Sequence, residues 1–162
     1  MRQMIGSKRT VLVCLLGFAL AAGTAMAQEQ DPLGKLLGTC GLEVTKMADD
    51  AWNIPFDVGK DKPLNVIVSY HDDEKKFALI YTTVVDRKDN FQFNQKVLQE
   101  CMKLNGEYPV AKFSLDPPAG NIDCEIQTYV PGLTADELKL YCSFVASIAD
   151  DNKANLEQLA GE

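Results

Sequence analysis

Residues 110–127 read VAKFSLDPPAGNIDCEIQ, and this stretch decides the fold. Pro117-Pro118-Ala119-Gly120 is a turn, because proline fixes φ and glycine tolerates the left-handed region. Counting outward from it, Leu115 faces Ile122, Phe113 faces Cys124 and Ala111 faces Ile126. The opposite side pairs Ser114 with Asp123, Lys112 with Glu125 and Val110 with Gln127. One side is apolar and the other polar, with opposite charges directly across the strands. That is the pattern of an antiparallel hairpin lying on a core with its other face in water.

A second hairpin is read upstream of the first. A two-residue turn at Asp73-Glu74 sets Tyr70 opposite Phe77, Val68 opposite Leu79 and Val66 opposite Tyr81 on an apolar side. Ser69 with Ala78, Ile67 with Ile80 and Asn65 with Thr82 then form a mixed side. Before it, Trp52, Ile54 and Phe56 alternate as on a strand, and Pro55 suggests an edge position. Gly59 to Pro63 is a loop.

Helical spacing accounts for the rest. Leu33, Leu36, Leu37 and Cys40 form a stripe stopped by Gly41. Val97, Cys101 and Leu104 form another, with Leu98 and Met102 beside it and Asn105-Gly106 as its stop. Thr134 and Glu137 have capping-box spacing ahead of Leu138, Tyr141, Cys142, Val145 and Ile148. The expected order is α-β-β-β-α-β-β-α: one α+β domain, an antiparallel sheet with helices packed on one face. The domain is bounded at residues 33–150, after a polar lead-in at 28–32. Residues 151–162 are an acidic extension of the last helix or a tail.

Residues 1–27 read as a secretory leader. Arg2, Lys8 and Arg9 precede an apolar run from Val11 to Ala22, too short to span a bilayer, and Ala25-Met26-Ala27 offers a cleavage site. Cleavage after Ala27 removes three of the 16 lysines and arginines and none of the 23 acidic residues, moving the net charge from −7 to −10. That balance disfavours nucleic acid and anionic membrane surfaces, and favours a neutral or basic partner. The expected location is the periplasm, with no membrane attachment after cleavage.

Four cysteines follow the leader: Cys40, Cys101, Cys124 and Cys142. An even number in an exported chain makes disulfides plausible, with three connectivities open. No C-x-x-C occurs and the single His71 is remote from every cysteine in sequence, so no metal site or cofactor is expected. His71 beside Asp72 and Asp73, with Ser69 nearby, is the sole candidate for hydrolase chemistry. Its place in an exposed turn argues against a catalytic role. Candidate partner-binding residues are Trp52, Ile54 and Phe56 on the aromatic strand, with Ile67 and Ile80 on the mixed hairpin side. Phe91 and Phe93, ahead of the second helix, are candidate dimer contacts.

Several strings resemble the YbjN family, described as regulators of sensory transduction, whose fold is that of type III secretion chaperones of the CesT and Tir-chaperone kind. They are Cys101-Met102-Lys103-Leu104-Asn105 leading to Ala111-Lys112-Phe113-Ser114-Leu115-Asp116, the Gly120 turn, the strand from Ile122 to Ile126, and the helix start Leu133-Thr134-Ala135-Asp136-Glu137-Leu138. Leu36 to Leu42 resembles the family's first helix. The resemblance runs from about Pro32 to Asp150. The leader and the four cysteines depart from a cytosolic secretion chaperone. The resemblance implies a non-catalytic domain that dimerises and binds another polypeptide by groove or strand-edge contacts. A small disulfide-stabilised structural protein of the envelope is the alternative.

Overall fold

Asp31 opens the first helix: its carboxylate accepts from the Gly34 amide at 3.1 Å, with Pro32 as the first helical residue. The computed structural model describes residues 31–58, 63–88 and 91–161, so the leader at 1–27 and most of the Gly59–Pro63 loop lie outside the described residues. The elements are α1 (Pro32–Thr39), β1 (Thr45–Ala48), β2 (Ala51–Phe56), β3 (Leu64–Tyr70), β4 (Phe77–Asp86), α2 (Gln95–Glu107), β5 (Lys112–Asp116), β6 (Asn121–Tyr129) and α3 (Ala135–Gly161). The protein is an α+β domain with one six-stranded antiparallel sheet, ordered β1-β2-β3-β4-β6-β5.

The β5–β6 hairpin has the register expected from its sequence, Phe113 opposite Cys124 and Leu115 opposite Ile122. β6 then lies between β5 and β4, so the chain that leaves β4 through α2 returns on the outside edge. Gly120 (φ +75°) closes the turn, its amide donating to Asp116 O at 2.8 Å.

The β3–β4 hairpin departs from expectation by one residue: Val68 faces Ile80 and Tyr70 faces Ala78. The cause is the loop. The His71 amide donates to Phe77 O at 2.9 Å, which leaves five residues, 72–76, in the connection instead of an even number. The Asp72 carboxylate organises it by accepting from the Lys76 and Phe77 amides at 3.1 and 2.7 Å, and Lys75 takes φ +56°. Because side chains alternate along a strand, this slip exchanges both faces of β4. Ala78, Ile80, Thr82 and Val84 are buried, while Leu79 and Tyr81 point the other way.

A strand not anticipated from the sequence, β1, pairs with β2 through Thr45–Asn53 and Lys46–Trp52. It makes β2 an interior strand. Pro55 is tolerated there because β1 begins at Thr45, whose partner is Asn53, and so stops short of the proline.

The three helices of the described residues pack on one face of the sheet. Leu33 and Leu37 of α1, Val97, Cys101 and Leu104 of α2, and Leu138, Cys142, Val145, Ala149 and Leu156 of α3 join one cluster with the inward residues of the sheet. A bulge between Thr83 and Val85 turns both Val84 and Val85 into that core. Fully burying a valine, leucine or isoleucine stabilises by about 1.5–3 kcal/mol, so this shared cluster is what holds helices and sheet together. The capping box at the start of α3 forms as read: the Thr134 amide donates to Glu137 at 2.9 Å, and the Glu137 amide to Thr134 Oγ1 at 3.2 Å. α3 runs on past Asp150 to Gly161, with Leu156 fully buried. α2 likewise runs through Asn105 and Gly106 to Glu107.

Candidate functional site

With the helices on one side, the other face of the sheet carries no helix among the described residues. Strand register writes its rows. One row crosses all six strands as Thr45, Asn53, Ile67, Tyr81, Glu125 and Lys112. Its neighbour runs Ala51, Ser69, Leu79 and Gln127, and on the other side Thr83, Asp123 and Ser114 stand in line. Ile67, Leu79 and Tyr81 thus make an apolar centre on an otherwise polar surface.

That surface is acidic. Burial pushes the Asp123 carboxyl up from its ordinary range, and Glu125, Asp116 and Asp86 push it the same way, against a hydrogen bond from Thr83. Asp123 Oδ1 and Asn53 Oδ1 are enclosed with no donor among the described residues. Lys112 supplies no compensating charge. Its ammonium reaches instead to the end of α2, 2.8 Å from Asn105 O and 2.9 Å from Tyr108 O, where a cation meets the negative end of the helix dipole. The register pair Lys112–Glu125 expected from the sequence forms, but the ion pair does not.

The two sheet edges are less available than the face. β1 is exposed along its length and carries an irregularity between Lys46 and Ala48. β5 is covered at its centre by the side chain of Asn105. Natural sheets blunt their edges by such means.

The candidate residues fall on different sides of this geometry. Trp52, Ile54 and Ile80 are core residues, at 5%, 0% and 0% exposure, so contrary to expectation none of the three offers its side chain to a partner. Alternation along β2 and the slipped register of β4 turn all three inward. Ile67 and Ile80 therefore lie on opposite faces and are not brought together. Phe56, at the end of β2, is half-buried against the core. Ile67 alone of the five sits on the helix-free face. Phe91 and Phe93 form an edge-to-face pair with centroids 5.1 Å apart; Phe93 packs on the core, and Phe91 lines a cleft with Arg87, Asn94 and the end of α3. His71 is exposed, its side chain bonded to none of Ser69, Asp72 or Asp73, and the Asp72 carboxylate is occupied by backbone amides. Nothing there orients a general base. Among the described residues no cluster of three or more His, Cys, Asp or Glu could hold a metal ion, and no helix is long and apolar enough to cross a membrane.

The four cysteines among the described residues are free thiols, each buried. Burial pushes the thiols of Cys101, Cys124 and Cys142 up to about 11, 12 and 12. Thiols held that far from ionisation are not nucleophiles.

A second feature went unread in the sequence. Tyr108, Pro109, Val110, Ala111, Phe144 and Ile148 line an apolar groove of about 380 Å³ where the end of α2 meets α3. Phe144 and Leu140, 41% and 48% exposed, are four residues apart on the outer side of α3. Their i, i+4 spacing was the available signal, masked by the stronger inward stripe on the same helix.

No protein-family model matches the chain, and no curated protein matches it. Solved structures resemble it at low identity. A chain of the ExsC–ExsE complex is 14% identical, with TM-score 0.49, over 80% of this chain and 90% of that one. A chain of the HopA1–SchA chaperone–effector complex is 11% identical, with TM-score 0.47, over 79% and 89%. A chain of the ExoU–SpcU heterodimer, from the type III secretion system of Pseudomonas aeruginosa, is 12% identical, with TM-score 0.49, over 78% and 95%.

Proposed function

We propose that the chain is a non-catalytic polypeptide-binding domain of the YbjN type, chaperone-like or regulatory. In this reading it is exported to the periplasm by cleavage after Ala27 and pairs with a second copy of itself. The observation that carries the binding role is the helix-free sheet face. Ile67, Leu79 and Tyr81 offer apolar area at its centre, and the carboxylates of Asp123 and Glu125 stand beside them. A neutral or basic segment laid across this face gains apolar burial at the centre and charge-assisted hydrogen bonds at its border. The face is the better platform than the edges, because Asn105 and the β1 irregularity obstruct strand addition at both. The location of His71 in an exposed loop supports the absence of chemistry.

The test is crosslinked capture of the tagged full chain from a bacterial periplasm, read by mass spectrometry, with N-terminal sequencing of the recovered protein. Export predicts Gln28 as the first residue. The binding reading predicts one abundant polypeptide that is lost on Ile67→Lys and on Tyr81→Lys, with far-UV circular dichroism unchanged, and retained on His71→Ala. Capture that survives both face variants, or recovery of background proteins only, overturns it.

A further inference from the structure

We propose that the segment taken by the helix-free face is an amphipathic helix of one polarity, with lysine or arginine in its N-terminal turns and an apolar stripe after them, lying along β4. The inference rests on the polypeptide-binding reading and adds the form, charge and direction of what is bound.

The register of β4, β5 and β6 sorts the face into two ends. At one end Phe77 stands opposite Tyr129, 40% and 51% exposed, with ring centroids 5.3 Å apart. Leu79 and Tyr81 continue the line along β4, and Ile67 lies beside Tyr81. At the other end stand Thr83, Asp123 and Ser114 in one row, then Asp86, Asn121 and Asp116 in the next. Glu125, opposite Tyr81, marks the boundary. The carboxylates of this end act on one another: after burial, Glu125, Asp116 and Asp86 are what raise the Asp123 carboxyl. Two neighbouring cations are turned elsewhere. Lys112 is held at the end of α2, and the Arg87 guanidinium donates to Glu157 O of α3 at 2.9 Å. One end of the track is therefore aromatic and the other acidic.

The backbone decides for a helix. β4 and β6 are paired on both sides, so the face offers an incoming segment side chains but no main-chain partners. An extended segment over the apolar end would bury unpaired amides and carbonyls, whereas a helix satisfies its own. α3 already packs against β4 on the opposite side of the sheet. Spacing agrees as well. Side chains on one face of a strand recur about every 7 Å, and those at i and i+4 of a helix about every 6 Å. Three apolar residues at i, i+4 and i+8 therefore match Phe77, Leu79 and Tyr81. Two further turns reach the row of Asp86 and Asp116, about 18 residues in all. Direction follows from the dipole: the N-terminus is the positive end and belongs at the carboxylates, where lysine or arginine adds charge-assisted hydrogen bonds.

The experiment measures binding of synthetic helical peptides to the full chain by fluorescence anisotropy. The forward peptide carries lysine and arginine in its first two turns and leucine at i, i+4 and i+8 after them. The reversed peptide has the same composition with its basic turns last, and a third has glutamate in place of every basic residue. The forward peptide should bind about tenfold more tightly than the reversed one, and the glutamate peptide should not bind. Glu125→Gln should weaken the forward peptide and leave the reversed one unchanged. Tyr129→Lys should weaken both, with far-UV circular dichroism unchanged. A nitroxide on the N-terminus of the forward peptide should broaden the amide signals of Asn121 to Asp123 and spare that of Tyr129. Equal affinity for the forward and reversed peptides, binding of the glutamate peptide, no binding of the forward peptide, or broadening at Tyr129 overturns the inference. Capture from the periplasm that is lost on Ile67→Lys, beside equal peptide affinities, would keep the binding face and reject the orientation. A bound forward peptide beside failed capture would reject the binding role in the periplasm and keep the orientation.

Discussion

The side-chain amide of Asn105 pairs with the backbone of Phe113 as a neighbouring strand would. Its Oδ1 accepts from the Phe113 amide at 2.6 Å and its Nδ2 donates to the Phe113 carbonyl at 3.0 Å. The two Phe113 groups point away from β6, so without Asn105 they would lie unpaired on an open edge. Asn105→Ala should therefore have two effects. Stability in urea should fall by about 1–3 kcal/mol, the cost of leaving buried or half-buried backbone groups unpaired. The freed edge should also promote self-association that grows with protein concentration, seen by size-exclusion chromatography. A variant that stays as stable and as monodisperse as the parent would show that the pairing does not hold the edge.

Gly120 and Gly132 both take positive φ, +75° and +91°, and a comparison of their alanine variants separates backbone strain from collision. A Cβ on Gly120 would lie 2.4 Å from Lys88 O and 2.8 Å from Arg87 O, whereas one on Gly132 meets nothing within 4 Å. Gly132→Ala should cost about 1–2 kcal/mol, the left-handed penalty alone. Gly120→Ala adds displacement of backbone that cannot rotate aside, and should cost about 2–5 kcal/mol by chemical denaturation. Equal losses at the two sites would mean that the Arg87–Lys88 segment yields.

What could be read in the sequence follows from how local its cause is. The β5–β6 register depends on a Pro-Pro-Ala-Gly turn inside the hairpin, and the α3 start on Thr134 and Glu137, three residues apart; both are local and both form as read. The β3–β4 slip depends on the parity of a loop set by Asp72 bonding two amides, and hydrophobic alternation fits either parity because Phe77, Leu79 and Tyr81 compete with Ala78 and Ile80. β1 is four exposed residues with no apolar face to announce it. Asn105 read as a helix stop because its role lies on a strand eight residues away. The candidate site suffered most. Which side of β4 meets the helices is a register question, so alternation alone groups Ile80 with Ile67 and gives Leu79 and Tyr81 no mark of their own.

Tyr70 joins α1 to the sheet. Its hydroxyl donates to Asp31 Oδ1 at 2.7 Å and accepts from the Leu33 amide at 3.0 Å, so one phenol holds both the N-cap and an otherwise unpaired helical amide. Burial, then the hydrogen bond to Asp31, raises the Tyr70 pKa, keeping the phenol protonated as donor. An eight-residue helix has little stability of its own. Tyr70→Phe should cost about 1–2 kcal/mol and, more tellingly, speed hydrogen exchange at the Leu33 amide. Unchanged protection at Leu33 would show that packing of Leu33 and Leu37 suffices to dock α1.

Asp123 gives the helix-free face a pH signature. Its carboxyl is raised above the ordinary value of 3.8, first by burial and then by Glu125, Asp116 and Asp86. The folded state therefore binds this proton more tightly than the unfolded chain does. The favourable contribution is complete below the unfolded pKa and is lost as pH rises through the folded one. At neutral pH Asp123 is a charged group held beside like charges, and the fold is the less stable for it. Asp123→Asn, which keeps an oxygen for Thr83 and removes the charge, should raise the thermal midpoint at pH 7. The gain should shrink as the buffer is taken down through the carboxylate range, because the parent is then neutral too. A variant whose advantage is the same at acidic and neutral pH would refute the electrostatic account. If a cationic segment covers this face, the same substitution should weaken its binding at pH 7 while stabilising the free protein, a divergence that loss of structure would not produce.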